Sequence, residues 1–283
     1  MFPFVSTKDP DAVAAVVQST YLDLFPDGDP LFVPRAFKWL TTGFTGRYAG
    51  YQALDARYHD LEHTMQGTLC MARLLQARQR AGGKPPITER LYRLGVLSIL
   101  LHDSGYLKAH DDREGTGAKY TTTHVQRSAA FAAQLLAEKG FPPADIVAVQ
   151  NMIRCTGVDA ALHEIPFQSD EERLVGHALA TADFLGQMAA ADYVDKLPTL
   201  YAEFAEAARF DGGQSQLISS YSGPPDLLRR TPAFWKDYVL PRLEGDFGGL
   251  YRYLNDPYPD GPNWYVRCIE ANMRRIVVPG QAS

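Results

Sequence analysis

An all-α fold, a single multi-helix bundle, is predicted for this chain by three observations. Apolar residues recur at helical spacing through most of the sequence. Clean alternating strand patterns are scarce. Recognisable helix start and stop signals separate the apolar segments. The 283 residues are 46% hydrophobic and 22% charged, an ordinary globular composition with length enough to bury a sizeable core. No internal repeat, low-complexity segment or long linker is found, so residues 1–283 are expected to form one domain, with a core at about 55–210 and a helical flank at about 211–283.

Taken in order, Asp9-Pro10 starts a helix over Asp11 to Leu24, and Pro26-Asp27-Gly28 stops it. Pro34 to Thr42 follows, carrying Phe37, Trp39 and Leu40. His59 to Arg80 has Leu61, Met65, Leu69, Met71, Leu74 and Leu75 near helical spacing, and Gly82-Gly83 with Pro85-Pro86 ends it. Thr88 is an N-cap for Leu91 to His102, which is almost wholly apolar and therefore central, and Ser104-Gly105 closes it. His110 to Thr123 is polar and contains glycine, so it reads as an exposed loop. Thr123 caps His124 to Lys139, closed by Gly140. Pro142-Pro143 start Ala144 to Cys155, and a loop through Pro166 leads to Asp170 to Met188. In Ala190 to Arg209, Pro198 is expected to kink or divide the helix. Pro225 to Ile276 reads as two or three helices, whose many aromatics are taken as core packing rather than a base-stacking platform.

Composition also excludes some functions. A net charge of -5 argues against nucleic-acid binding through a general basic surface, while leaving room for a small anionic substrate at a metal site. Cys70, Cys155 and Cys268 are far apart, in no paired motif, which fits a reducing cytosol. Met1 to Pro10 lacks the apolar region of a signal peptide, and no apolar run reaches the roughly 18 residues of a membrane span. A cytoplasmic protein is expected.

Two segments carry the chemistry: Tyr58-His59-Asp60-Leu61-Glu62-His63-Thr64 and Leu101-His102-Asp103-Ser104-Gly105. Both place imidazole and carboxylate groups in strongly apolar surroundings, where burial is costly without a partner. Divalent cations are suitable partners for both groups. His59 and His63 are four residues apart and share a face if helical, although the same spacing describes two surface histidines at a helix start. His102 alone would suit a helix C-terminus, but Asp103 beside it is unfavourable there unless a cation compensates it. Asp183 is a lone charge among alanine, leucine and phenylalanine, either a structural acid or a further ligand.

The ordered set, Tyr58 to Thr64, then His102-Asp103, then Asp183 in a later helix, resembles the HD superfamily of metal-dependent phosphohydrolases over about residues 58–186. Its opening is similar to the Tyr-His-Asn-x-x-His of cyclic nucleotide phosphodiesterases of that superfamily. The segment from Asp183 through Tyr201 to Phe204 resembles bacterial HD-type proteins, which implies no substrate. By position, the resemblance implies that His63, His102, Asp103 and Asp183 hold a first metal ion. His59 would protonate the leaving oxygen. In two-metal members Asp103 would bridge both ions, and His124 sits where one ligand of the second is expected. The other expected histidine is missing: that region reads Met152 to Gly157, and the nearest candidate is His163. His110 and His177 are assigned no role.

The expectation is a metal-dependent phosphoric ester hydrolase acting on a small phosphorylated, nucleotide-like or cyclic-nucleotide-like molecule through metal-activated water. One or two divalent ions are expected, with Mn, Fe, Ni, Zn or Mg suiting the mixed ligand set. Lys108, Lys119 and Arg127 are candidates to neutralise a phosphate oxygen, against the alternative of ordinary solvated charges. The segment from Lys108 to Thr123 is a candidate lid. The alternatives are a di-iron HD-type oxygenase and a non-catalytic nucleotide-binding sensor. The aromatic C-terminal part offers a surface for homo-oligomer formation.

Overall fold

Short polar residues ahead of apolar runs cap several of the helices. The computed structural model describes residues 2–212 and 220–276. Asp9 accepts from the amides of Asp11 and Ala12 and starts α1 (Pro10–Leu24). α2 (Phe32–Phe44) follows. Asp60 accepts from the His63 amide and starts α3 (Leu61–Arg80). Thr88 caps α4 (Glu89–Leu101) by accepting from Leu91. Next come α5 (His124–Glu138), α6 (Pro143–Arg154) and α7 (Asp170–Met188), the last capped by Ser169. α8 (Tyr193–Phe210) runs through Pro198 without being divided. α9 (Pro224–Phe234) passes through one π-helical stretch, Trp235–Val239, into α10 (Leu240–Glu244). α11 (Trp264–Ile276) ends the described chain. Only isolated bridges accompany the helices among the described residues, so the protein is all-α as predicted.

Several boundaries differ from expectation. His59 lies before α3, because the Asp60 carboxylate caps the helix two residues later than periodicity suggests. The His110–Thr123 segment is not simply exposed. It holds a short 3-10 turn, Gly117–Tyr120, with Gly117 and Ala118 buried. Its amides and hydroxyl are tied down: Gly117 donates to Asp55 at 2.7 Å and the Thr116 hydroxyl to Glu206 at 2.8 Å. The Thr123 side chain makes no cap bond to α5. Cys70, Cys155 and Cys268 are all free thiols. No helix among the described residues is long and apolar enough to cross a membrane.

α4 is buried almost all round, as its composition requires, and packs against α3, α6 and α7. α3 and α7 pack most intimately, through glycine. A Cβ on Gly186 would stand 2.7 Å from the Gln66 backbone and 2.8 Å from the Gly67 nitrogen. This seam sets His63 of α3 opposite Asp183 of α7. The C-terminal end of α4 delivers His102 and Asp103 to the same place. The following turn, Ser104–Tyr106, is pressed against the start of α5: a Cβ on Gly105 would lie 2.0 Å from the His124 carbonyl oxygen.

Candidate metal centre

Four ionisable side chains alternate around one point on the α3–α7 seam. His63 Nε2 lies 3.1 Å from Asp103 Oδ2 and 3.3 Å from Asp183 Oδ1. His102 Nε2 lies 3.3 Å from Asp103 Oδ2 and 3.5 Å from Asp183 Oδ1. Ligand bonds of about 2.1 Å would put neighbouring donor atoms roughly 3.0–3.4 Å apart, so the spacing suits a shared cation. His63, His102 and Asp103 are buried and their donor atoms lie mutually within 4.8 Å, a group able to bind a metal ion.

Two further features fit a cation. The His102 Nδ1–H donates to the Ile99 carbonyl at 2.7 Å, which leaves Nε2 as the ligand nitrogen. His102 Nε2 and Asp103 Oδ2 are buried without any hydrogen bond, although they are 3.3 Å apart. They are close in distance but not aligned as donor and acceptor. Buried polar atoms rarely go unpaired, and an ion between them removes the anomaly.

Electrostatics point the same way. Burial alone would push the His63 imidazole down, but the Asp103 and Asp183 carboxylates beside its Nε2 raise it to about 10. Burial opposes ionisation of Asp103 as well, yet His102 and His63 hold it well below the usual carboxylate range. Asp183 is depressed likewise, against burial, chiefly by the neighbouring His102 and then by His63. The negative potential that draws a proton to His63 also draws a metal cation, which must displace that proton to bind.

Beside this ring stands a stack. His59 lies face to face with Tyr106 at 4.6 Å between centroids, and Tyr106 with His124 at 4.8 Å. His59 Nδ1–H donates to Glu203 of α8 at 2.6 Å, and the other Glu203 oxygen accepts from the amides of Arg57 and Tyr58, each at 2.7 Å. His59 and His63 are thus neighbours, 5.3 Å between ring centroids, without sharing a helix face. His124 Nδ1–H donates to the Thr121 carbonyl, and Nε2 lies 3.9 Å from Asp103 Oδ1, beside the ring rather than in it. Burial lowers the His124 pKa, keeping the imidazole neutral.

The centre forms part of the lining of a cavity of about 1060 Å³, which His59, His63, Asp103, His124 and Asp183 all line. The three basic candidates are not at it. Lys108 is buried and holds Asp55 and the Gly115 carbonyl, and Lys119 holds Asp112. Arg127 donates to the Gly105 and Leu107 carbonyls and covers the Tyr120 ring at 3.4 Å. Among the described lining residues the one lysine or arginine is Arg154. His163 sits in an exposed 3-10 turn, Leu162–Glu164, outside the lining. Cys155, in the region where a further histidine was expected, is buried with its Sγ toward the Asn151 carbonyl.

Sequence reading missed four contributors: Glu203, Gln187, Tyr106 and Arg154. Gln187 is one turn beyond Asp183, donates to its Oδ1 at 3.1 Å and accepts from the Tyr58 hydroxyl at 3.0 Å. That four-residue spacing was the available signal. Glu203 had none, because its partners are more than 140 positions away.

Fold and centre define an all-α protein with a buried imidazole–carboxylate group, able to hold a metal ion, facing a large cavity. A family model described as Npun_R2479-like matches residues 110–254, just over half of the chain, and the chain belongs to that family. The matched region carries His124, Asp183 and Glu203, whereas His59, His63, His102 and Asp103 precede it. No curated protein matches the chain.

Proposed function

We propose that this protein is a metal-dependent phosphoric ester hydrolase acting on a small phosphorylated molecule, with nucleotides the first class to test. The observation that carries the reading is the alternating ring of His63, Asp103, His102 and Asp183 at a cavity that His59 also lines. These four residues would hold a divalent ion; imidazole with carboxylate suits Mn, Fe, Ni or Zn, and Mg less well. Such an ion, when bound, supplies Lewis acidity and a water that loses its proton near neutral pH.

Hydrolysis joins a water oxygen to phosphorus, breaks the bond to the ester oxygen and leaves an alkoxide in need of a proton. His59 supplies that proton. Glu203 fixes its ring through Nδ1, so Nε2 is the nitrogen left to meet the leaving oxygen. Tyr106 packs flat on the same ring and keeps it from turning. Arg154, which lines the cavity and donates to Asn151 Oδ1, would be the protein group to meet a phosphate oxygen.

A di-iron oxygenase is less well supported. A second ion would find Asp103 and His124, while the third protein ligand expected near residue 155 is a cysteine turned to a backbone carbonyl. The test is metal content together with turnover on a phosphoester panel, for wild type and Asp103→Ala, with and without chelator. The reading requires that the substitution remove metal and turnover together. Turnover that survives complete metal removal would refute it.

A further inference from the structure

The cavity is far larger than a phosphate group and unevenly lined. Part of the lining is polar: His59, His63, Asp103, Asp183 and Thr121 to Thr123. α7, α8 and α9 also give it an apolar wall, with Phe184, Leu200, Phe204 and Phe234 each only half-buried although they pack against the interior. Phe184 and Phe234 meet edge to face, and Phe204 stacks on Tyr221. Partly uncovered apolar rings that line a cavity of about 1060 Å³ are surface that a ligand can dehydrate. Polar residues of this wall use their hydrogen bonds internally: Gln187 with Asp183 and Tyr58, and the Thr231 hydroxyl with the Leu227 carbonyl. Charge restricts the ligand further. Asp103, Asp159, Glu164, Asp183 and Asp211 line the cavity against one arginine among the described lining residues, Arg154, which disfavours a polyphosphate.

We propose that the group esterified to the phosphate is a hydrocarbon seated on the α7–α8–α9 wall, so that the substrate is an amphiphilic phosphomonoester. The proposal rests on the hydrolase reading for its chemistry and on the wall for its specificity. Catalytic groups hold the phosphate, and the uncovered rings dehydrate the chain.

The test uses the metal-loaded full chain with butyl, hexyl and octyl phosphate below micelle formation, and a nucleoside monophosphate for comparison. Two readouts run in parallel: phosphate release, and calorimetric binding of the matching alkyl phosphonates, which cannot be hydrolysed. A fully buried methylene, about 0.8 kcal/mol, corresponds to up to about fourfold in affinity. KM and phosphonate Kd are therefore expected to fall by up to about two hundredfold from butyl to octyl, which differ by four methylenes. Leu200→Ser and Phe234→Ala should flatten this dependence, while helical circular dichroism and metal content equal to wild type report that each variant has folded. Hydrolysis that is indifferent to chain length, or that prefers the nucleoside monophosphate, overturns the hydrocarbon proposal and leaves the hydrolase reading standing. Chain-dependent phosphonate binding without phosphate release supports the apolar site and removes the hydrolase reading. No binding and no release removes both.

Discussion

His59 and Asp103 both border the cavity, but their roles separate by experiment. Asp103 faces two imidazoles and is a candidate metal ligand, whereas His59 is held by Glu203. His59→Asn should therefore keep the bound metal and lower turnover by about 10²–10⁴, the usual worth of a positioned proton donor. Glu203→Gln should lower turnover by roughly 10–100-fold with metal unchanged, because an amide cannot accept from both backbone amides and orient the imidazole as a carboxylate does. Metal content beside kcat checks both, and loss of metal in His59→Asn would reassign that residue to the ion. His177 makes a different prediction, concerning stability. Its ring lies between Phe167 and Phe247, and its Nε2 is buried without a hydrogen bond. Burial, helped by Arg173 and opposed by Asp246, lowers it from 6.5 to about 4. Above 6.5 neither the folded nor the unfolded state carries the proton. As pH falls, the unfolded chain is protonated first, so stability is lost between about 6.5 and 4. The loss is about 3 kcal/mol at most. Urea unfolding of His177→Phe should show a shallower decline over that window than wild type.

Helix contacts decide whether the donors meet at all. Gly186→Ala inserts a methyl group against the Gln66 and Gly67 backbone and must push α7 from α3, separating Asp183 from His63. Overpacking of this kind costs about 1–3 kcal/mol, and metal affinity should fall with stability, measured by denaturation and metal titration. A variant as stable as wild type with full metal content would show that the seam has slack. Local signals in the sequence describe much of this architecture. The apolar run before His102 made α4 central, and Asp9, Thr88 and Ser169 cap their helices from immediately upstream. The ring residues could be singled out because each is a polar group in an apolar segment. What escaped has no local signature. The start of α3 moved because Asp60 competes with His59 as the boundary. The π-helical stretch at Trp235–Val239 changes helical period without changing composition. Lys108 and Arg127 bind carbonyls and a carboxylate brought near only by the fold, so a charge in a loop could not be told from a solvated one.

Hydrogen bonds between distant segments tie the described helices together, so binding of a metal ion would be visible in global stability. Arg73 of α3 donates to the Pro3 carbonyl and the Tyr265 hydroxyl, joining the N-terminal segment to α11. Asn272 of α11 donates to the Met188 and Ala190 carbonyls at the end of α7. The donors themselves come from α3, the end of α4 and α7, so the unfolded chain has no assembled site. A cation that binds only the folded state stabilises it by RT ln(1 + [L]/Kd), about 2.7 kcal/mol at a hundred times Kd. For a chain of this size that corresponds to a rise in Tm of roughly 4–5 °C. The rise should vanish with chelator and in Asp103→Ala. It should persist in His59→Asn, whose side chain borders the cavity but not the ring. An ordinary ion-paired cluster predicts otherwise: Tm would ignore added Mn, Zn and chelator alike, and Asp103→Ala would lower it by the same amount in every condition. Thermal unfolding of three proteins in two buffers separates these outcomes without any assumption about substrate.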